Sequence, residues 1–130
     1  MEYDLVIIGF GISGMVTARH AQKNNLKFIV LEKGDTFGGV WANTYDTTKL
    51  QTHKSFYQFS ELEAENSMPD YPYKHNLLEY FNSYIEKFNL DTNVKYSSKV
   101  IKTEYCKIHK YWKVKTSNKT YKAKYIAFCS

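Results

Sequence analysis

Three glycines define the chemistry open to this chain. Gly9, Gly11 and Gly14 follow the apolar run Leu5-Val6-Ile7-Ile8 in the spacing G-x-G-x-x-G. At that spacing the first glycine permits the tight turn out of a buried strand. The second lets the backbone approach a pyrophosphate, and the third lets the next helix pack on the strand. That helix presents unpaired N–H groups and its positive dipole end to the phosphates. Glu32 ends a second apolar run, Lys27-Phe28-Ile29-Val30-Leu31. An acid about 20 residues beyond the glycines can accept hydrogen bonds from ribose hydroxyls. Strand, glycines, helix and acid in this order favour a dinucleotide site over a glycine turn that binds nothing.

Other residues with chemical potential are scattered. Lys33 to Trp41 is too glycine-rich for a helix interior or a strand, and Gly38-Gly39 lets backbone lie flat against a ligand while Trp41 offers a planar wall. Read without the upstream glycines, the same stretch is a surface loop anchored by a tryptophan. His53 and His75 lack metal-ligand spacing and read as surface or capping residues. Cys106 and Cys129 form no C-x-x-C pair, so no metal site and no dithiol chemistry are expected. A disulfide reductase would need a cysteine pair soon after the second strand, and no cysteine precedes Cys106.

The elements that must position these residues follow from periodicity. A helix is expected over Ser13–Asn24, with Ala18 and Ala21 small enough to pack on strands and Asn24-Asn25 ending it. Tyr45 to Glu61 has no clear period and reads as irregular pieces, with a short strand at Leu50-Gln51. After a loop holding Pro69 and Pro72, residues Leu77, Leu78, Phe81, Tyr84, Ile85 and Phe88 recur at helical spacing over Asn76–Phe88. The rest reads as β: Val94–Tyr96, Val100–Tyr105, Tyr111–Thr116, a hairpin tip at Ser117-Asn118, Lys119–Ala123, and a buried run Tyr125–Cys129 that rejoins a parallel sheet.

Composition narrows the class. With 130 residues, 43% hydrophobic and 17% aromatic, the chain suits one α/β domain with a real core. No apolar run approaches the roughly 20 residues that span a bilayer. Met1-Glu2-Tyr3-Asp4 is not the basic start of a signal peptide, so a cytoplasmic protein is expected. The net charge of +5 is uneven: residues 94–130 hold ten lysines against the single acid Glu104. These lysines alternate with apolar residues, as in Trp112-Lys113-Val114-Lys115, which reads as the wet face of a sheet, with no nucleic-acid partner expected.

Across almost its whole length the chain resembles the flavin-containing monooxygenases, most closely their plant-type branch. The marks are Gly9-Phe10-Gly11-Ile12-Ser13-Gly14, Leu31-Glu32-Lys33, Gly38-Gly39-Val40-Trp41 and, most specific, Thr48-Lys49-Leu50-Gln51-Thr52-His53-Lys54-Ser55-Phe56-Tyr57-Gln58-Phe59-Ser60. The resemblance implies a Rossmann-like FAD-binding domain over residues 1–130, with 94–124 a β-rich antiparallel insertion. It implies that Gly9, Gly11, Ile12, Ser13, Gly14, Glu32, Lys33, Gly39, Val40, Trp41, Gln51, Thr52 and Val100 bind FAD. Glu32 would hold the ribose, Val40 and Trp41 would lie along the flavin, and the Val100 backbone would meet the adenine. Gln51 would stand near the flavin and nicotinamide rings as the one catalytic side chain.

The implied reaction oxygenates a small nitrogen-, sulfur- or carbon-centred substrate with O₂, through a C4a-hydroperoxide on FAD reduced by NADPH. The family's second glycine fingerprint for NADPH and its F-x-G-x-x-x-H stretch are absent, so the chain is expected to stop before the NADPH-binding domain and not to turn over with NADPH by itself. A catalytically inactive FAD-binding partner of a full-length relative is the alternative. Apolar surface around Trp41, Phe56 and Tyr57 is expected to promote self-association. Relatives carry proline where this chain has His53, which is expected to loosen that turn.

Overall fold

The computed structural model describes residues 2–130. Met1, part of the reading of the first residues as no signal peptide, lies outside the described residues. Two apolar runs become the central strands. β1 (Tyr3–Ile8) and β2 (Phe28–Leu31) pair in parallel with Leu5 opposite Phe28 and Ile8 opposite Leu31. All four residues of β2 are buried, as a strand covered on both faces requires.

Between them runs α1 (Ile12–Lys23), which buries Gly14, Met15, Ala18 and Ala21 along one stripe. It stops where expected: the Asn24 side chain donates to the His20 carbonyl at 2.7 Å, and Asn25 adopts a φ of +56°. The glycine-rich segment ends in α2 (Val40–Asn43), a single helical turn begun at Gly39. Expected as loop throughout, it starts a helix because the glycines precede the turn and do not interrupt it.

α3 (Lys74–Phe88) buries Leu77, Tyr80, Phe81, Tyr84 and Ile85. It starts two residues before the expected Asn76, whose Oδ1 accepts a hydrogen bond from the Tyr73 amide at 3.0 Å. A capping side chain can reach back from inside the first turn, and here it does. The irregular stretch before it is pinned by Phe59, which stacks on Tyr84 at 3.8 Å and on Tyr80 at 5.4 Å. In place of a strand at Leu50-Gln51 there is one isolated bridge between Lys49 and Tyr73, with the Leu50 amide donating to the Pro72 carbonyl.

Six strands form one sheet, in the spatial order Val94–Lys95, β2, β1, Thr120–Phe128, Tyr111–Thr116 and Val100–Cys106. β3 (Val94–Lys95) runs parallel to β2. β4 (Val100–Cys106), β5 (Tyr111–Thr116) and β6 (Thr120–Phe128) make an antiparallel meander that extends the same sheet. The turn at Ser117-Asn118 is closed by the Thr116 amide donating to the Lys119 carbonyl at 2.9 Å. The two strands expected at Lys119–Ala123 and Tyr125–Cys129 are one. β6 pairs antiparallel with β5 in its first half and parallel with β1 in its second. Ala123 pairs with both Trp112 and Tyr3, so the strand changes neighbours without breaking. Lys124, which separated the two expected strands, is neither glycine nor proline, and nothing there interrupts the extended backbone.

Two apolar clusters flank the sheet. Ile7 and Val30 pack with α1 and α3, while Val6, Ile29 and Leu31 pack with Val114, Tyr121 and Ala123. Adjacent residues of a strand point to opposite faces, so the helices and the meander cover different sides.

Candidate functional site

The site is built where β1 ends. Gly9 turns the chain with a φ of +104°, and a Cβ there would lie 2.8 Å from the Cys129 carbonyl oxygen at the end of β6. Only glycine fits this turn between two strands. Gly11 then begins α1 with no side-chain cap and no acidic residue in the first turn. The amides of Ile12, Ser13 and Gly14 therefore have no partner within the helix and lie at its positive end.

Gly11 faces Gly39 backbone to backbone. A Cβ built on Gly11 would meet only Gly39, at 3.5 Å, and one on Gly39 would lie 3.2 Å from the Gly11 Cα. Two segments far apart in sequence thus form a cradle without side chains above the helix terminus. The Gly38 amide fixes it by donating to the Phe10 carbonyl at 3.0 Å.

Glu32 stands at the end of β2, 7% exposed, with no lysine or arginine paired to it among the described residues. Its Oε1 accepts from the Phe10 amide at 2.8 Å and its Oε2 from the Gly34 amide at 2.5 Å. A carboxylate oxygen has two acceptor positions, so each keeps one for a further donor. The backbone around it is tied down, because the Glu32 amide donates to the Lys95 carbonyl and the Ser98 amide to the Glu32 carbonyl. This places Val100, two residues on, beside the same end of the sheet, half-buried against the cluster that holds Leu31.

Trp41 is half-buried, and its Nε1 donates to the Tyr57 hydroxyl at 2.9 Å with the rings edge to face. These two aromatics pack edge to face and stay half-buried, so of the apolar surface expected around Trp41, Phe56 and Tyr57 the most open part is Phe56, at 83% exposure. Val40 is exposed on the same short helix. Lys33, Gln51 and Thr52 are exposed, and none of their side chains hydrogen-bonds to the glycine loop among the described residues. A cavity of about 300 Å³ opens between α1, α3 and the Phe56–Glu61 segment, and Ile12 is the one expected site residue in its lining.

His53 is a capping residue, as expected. Its Nδ1 accepts from the Ser55 amide at 3.2 Å, and its Nε2 lies 3.4 Å from Asp70. Its φ of −61° is the value a proline ring imposes. The histidine therefore keeps the shape of the turn that it was expected to loosen. No group of three or more His, Cys, Asp or Glu with metal-site geometry occurs among the described residues.

Sequence reasoning missed Phe10, Gly34 and Tyr57. The first two act through backbone amides, which residue type does not advertise. Tyr57 sits in an aperiodic stretch and gains its role only from Trp41.

Comparison with known proteins bears on the family and the fold. A family described as pyridine nucleotide-disulphide oxidoreductase matches residues 6–129. The Arabidopsis thaliana protein named "Probable indole-3-pyruvate monooxygenase YUCCA8" is 34% identical over 116 residues, covering 88% of this chain and 27% of that protein. "Probable flavin-containing monooxygenase 1" of Arabidopsis thaliana is 38% identical over 104 residues, covering 78% of this chain and 19% of that protein. Cyclohexanone monooxygenase from Rhodococcus sp. Phi1, solved bound to NADP+, superposes with a TM-score of 0.90 at 25% identity over 98% of this chain and 25% of its own. The chain thus spans about a quarter of the length of the relatives it matches. The resemblance read from the sequence is borne out: this chain belongs to the pyridine nucleotide-disulphide oxidoreductase family and aligns within it with the flavin-containing monooxygenases.

Proposed function

We propose that this chain binds FAD and forms the FAD-binding part of an NADPH-linked flavin monooxygenase that oxygenates a small nitrogen-, sulfur- or carbon-centred substrate with O₂. The observation that carries the reading is the side-chain-free approach of Gly11 to Gly39 over the uncapped start of α1. A pyrophosphate needs close backbone contact and free amides, and this cradle offers both. Gly9, Gly11, Ile12, Ser13, Gly14 and Gly39 would hold the phosphates by their backbone. Glu32 would take ribose hydroxyls on its remaining acceptor positions, with Lys33 beside it and the Val100 backbone toward the adenine. Val40 and Trp41 would flank the flavin, and Gln51 and Thr52 would supply polar contacts to it.

Bound FAD supplies hydride acceptance and oxygen activation. The residues of this chain orient it and limit water: Trp41, held by Tyr57, is a fixed wall, and the buried Glu32 is already anchored by two amides before a ligand arrives. Such prior ordering reduces the entropy lost on binding.

The test is reconstitution. The purified chain is mixed with FAD, desalted and read by visible absorption, with circular dichroism melting as the folding control. Retained flavin bands in the wild type, and their loss in a folded Gly11→Ala, are the expected result. A folded wild type that retains no flavin overturns the reading. In anaerobic cuvettes dithionite should bleach the retained flavin and NADPH should not, because no second glycine fingerprint occurs among these residues.

A further inference from the structure

The meander carries a charge pattern that flavin binding does not use. Along β4, β5 and β6 the pairs Lys102–Lys115, Glu104–Lys113 and Lys113–Lys122 stand directly opposite each other. Val114 and Tyr121, the alternating neighbours, are buried, so the charged set lines the outer face of the sheet. Four lysines face Glu104, with the Glu2 carboxylate accepting from the Lys122 amide at 2.9 Å, and like charges directly opposite destabilise a sheet. Protection of the β4 edge accounts for Lys102 alone, since Lys113 and Lys122 lie on inner strands.

The hairpin joining β4 and β5 continues this face. The Lys110 amide donates to the Cys106 carbonyl at 2.7 Å, closing a tip of Lys107, Ile108, His109 and Lys110. Ile108 stands 86% exposed between basic neighbours. His109 stacks on Tyr111 with ring centroids 6.2 Å apart, and the Lys122 Nζ lies 5.5 Å from the same ring, so tip and sheet face are contiguous.

We propose that the outer face of the meander and its Ile108 tip dock on an anionic lipid bilayer. Lysines on such a face are drawn to anionic headgroups. An apolar side chain at a basic tip has a place at the headgroup–acyl boundary. Nucleic acid fits less well: single strands need open aromatic rings for stacking, and Tyr111, the aromatic residue of this face, is covered by His109 and Lys122. The docking is peripheral, and no helix among the described residues is long and apolar enough to cross a membrane.

Vesicle co-sedimentation tests this, using phosphatidylcholine with roughly a third phosphatidylserine against phosphatidylcholine alone, at low and high salt. The chain should sediment with the anionic vesicles only, and high salt should release it. Lys113→Glu with Lys122→Glu should weaken binding at least about 25-fold, about fivefold for each lysine. Ile108→Ser should weaken it about tenfold and leave the salt dependence unchanged. Circular dichroism melting verifies folding, and if the double variant unfolds, the exposed single variants K102E and K115E are read in its place. Equal binding to both vesicle types overturns the proposal, as does a folded lysine variant that binds like wild type. Tighter binding to a single-stranded oligonucleotide than to vesicles, undiminished in I108S, also overturns it and assigns the face to nucleic acid.

Discussion

The Phe10 amide and the Glu32 carboxylate meet at 2.8 Å in the interior, 22 residues apart in sequence. Phe10 is the first variable residue of the glycine fingerprint, and its carbonyl in turn accepts from Gly38. One peptide unit on each side of Phe10 thus links the phosphate turn, the acid after β2 and the second glycine segment. Glu32 is a structural acceptor before it is a ligand contact.

Replacing Glu32 with alanine leaves the Phe10 and Gly34 amides without their acceptor. The buried Phe10 orphan costs about 1–3 kcal/mol, and the part-buried Gly34 amide costs less because water can reach it. Glu32→Ala should therefore lower stability in urea denaturation as well as flavin affinity. Glu32→Gln keeps an acceptor for one amide and should fall between. An alanine variant with wild-type stability would show that these bonds contribute nothing.

Gly11 and Gly14 separate binding from folding. A Cβ on Gly11 makes ordinary contact with Gly39 at 3.5 Å, whereas one on Gly14 would sit 2.0 Å from the Gly9 carbonyl oxygen. Gly11→Ala should melt within a few degrees of wild type and lose flavin binding. Gly14→Ala should melt far lower, because α1 cannot pack without moving off the loop. Equal flavin titrations for wild type and Gly11→Ala would remove the cradle from the site.

Tyr57→Phe takes away the acceptor for the Trp41 Nε1, at a cost of about 1 kcal/mol. Trp41 should become mobile and its fluorescence should shift to the red, with flavin quenching of that emission reduced. Unchanged emission would mean that packing against the core, and not the hydroxyl, holds the indole.

Stability should fall at both ends of the pH scale. Arg19 binds Glu61 through two nitrogens at 3.0–3.2 Å and holds its carboxyl below the usual 4.5. A group with a lowered pKa in the folded state stabilises above its unfolded value, and that contribution is lost as pH falls through the folded one. Glu61→Gln should flatten the loss below about 4.5. Tyr84 behaves in the opposite sense, because burial, aided by the Glu61 charge, pushes its hydroxyl up to about 12 from 10.0. Its contribution is complete below 10 and fades as pH rises toward 12. Tyr84→Phe should flatten that alkaline limb in melting scans. Identical pH profiles for variant and wild type would contradict these assignments.

The sequence alone determined the first βαβ unit, the helix over α3, the hairpin at Ser117-Asn118 and the glycine fingerprint, because periodicity, glycine spacing and turn residues act over a few neighbours. It also carried the family, through Gly9 to Gly14 and Thr48 to Ser60. Only the tertiary structure decided that Gly11 and Gly39 face each other, that Glu32 is anchored by Phe10 and Gly34, and that Tyr57 holds Trp41. It alone joined Thr120–Phe128 into one strand that changes partners at Ala123. Apart from the Glu32–Gly34 bond, these contacts join residues 11 to 120 positions apart, through backbone amides, strand pairing or one side-chain pair that residue type does not encode. A local pattern specifies how a segment can bend, and the packed sheet decides which segment it meets.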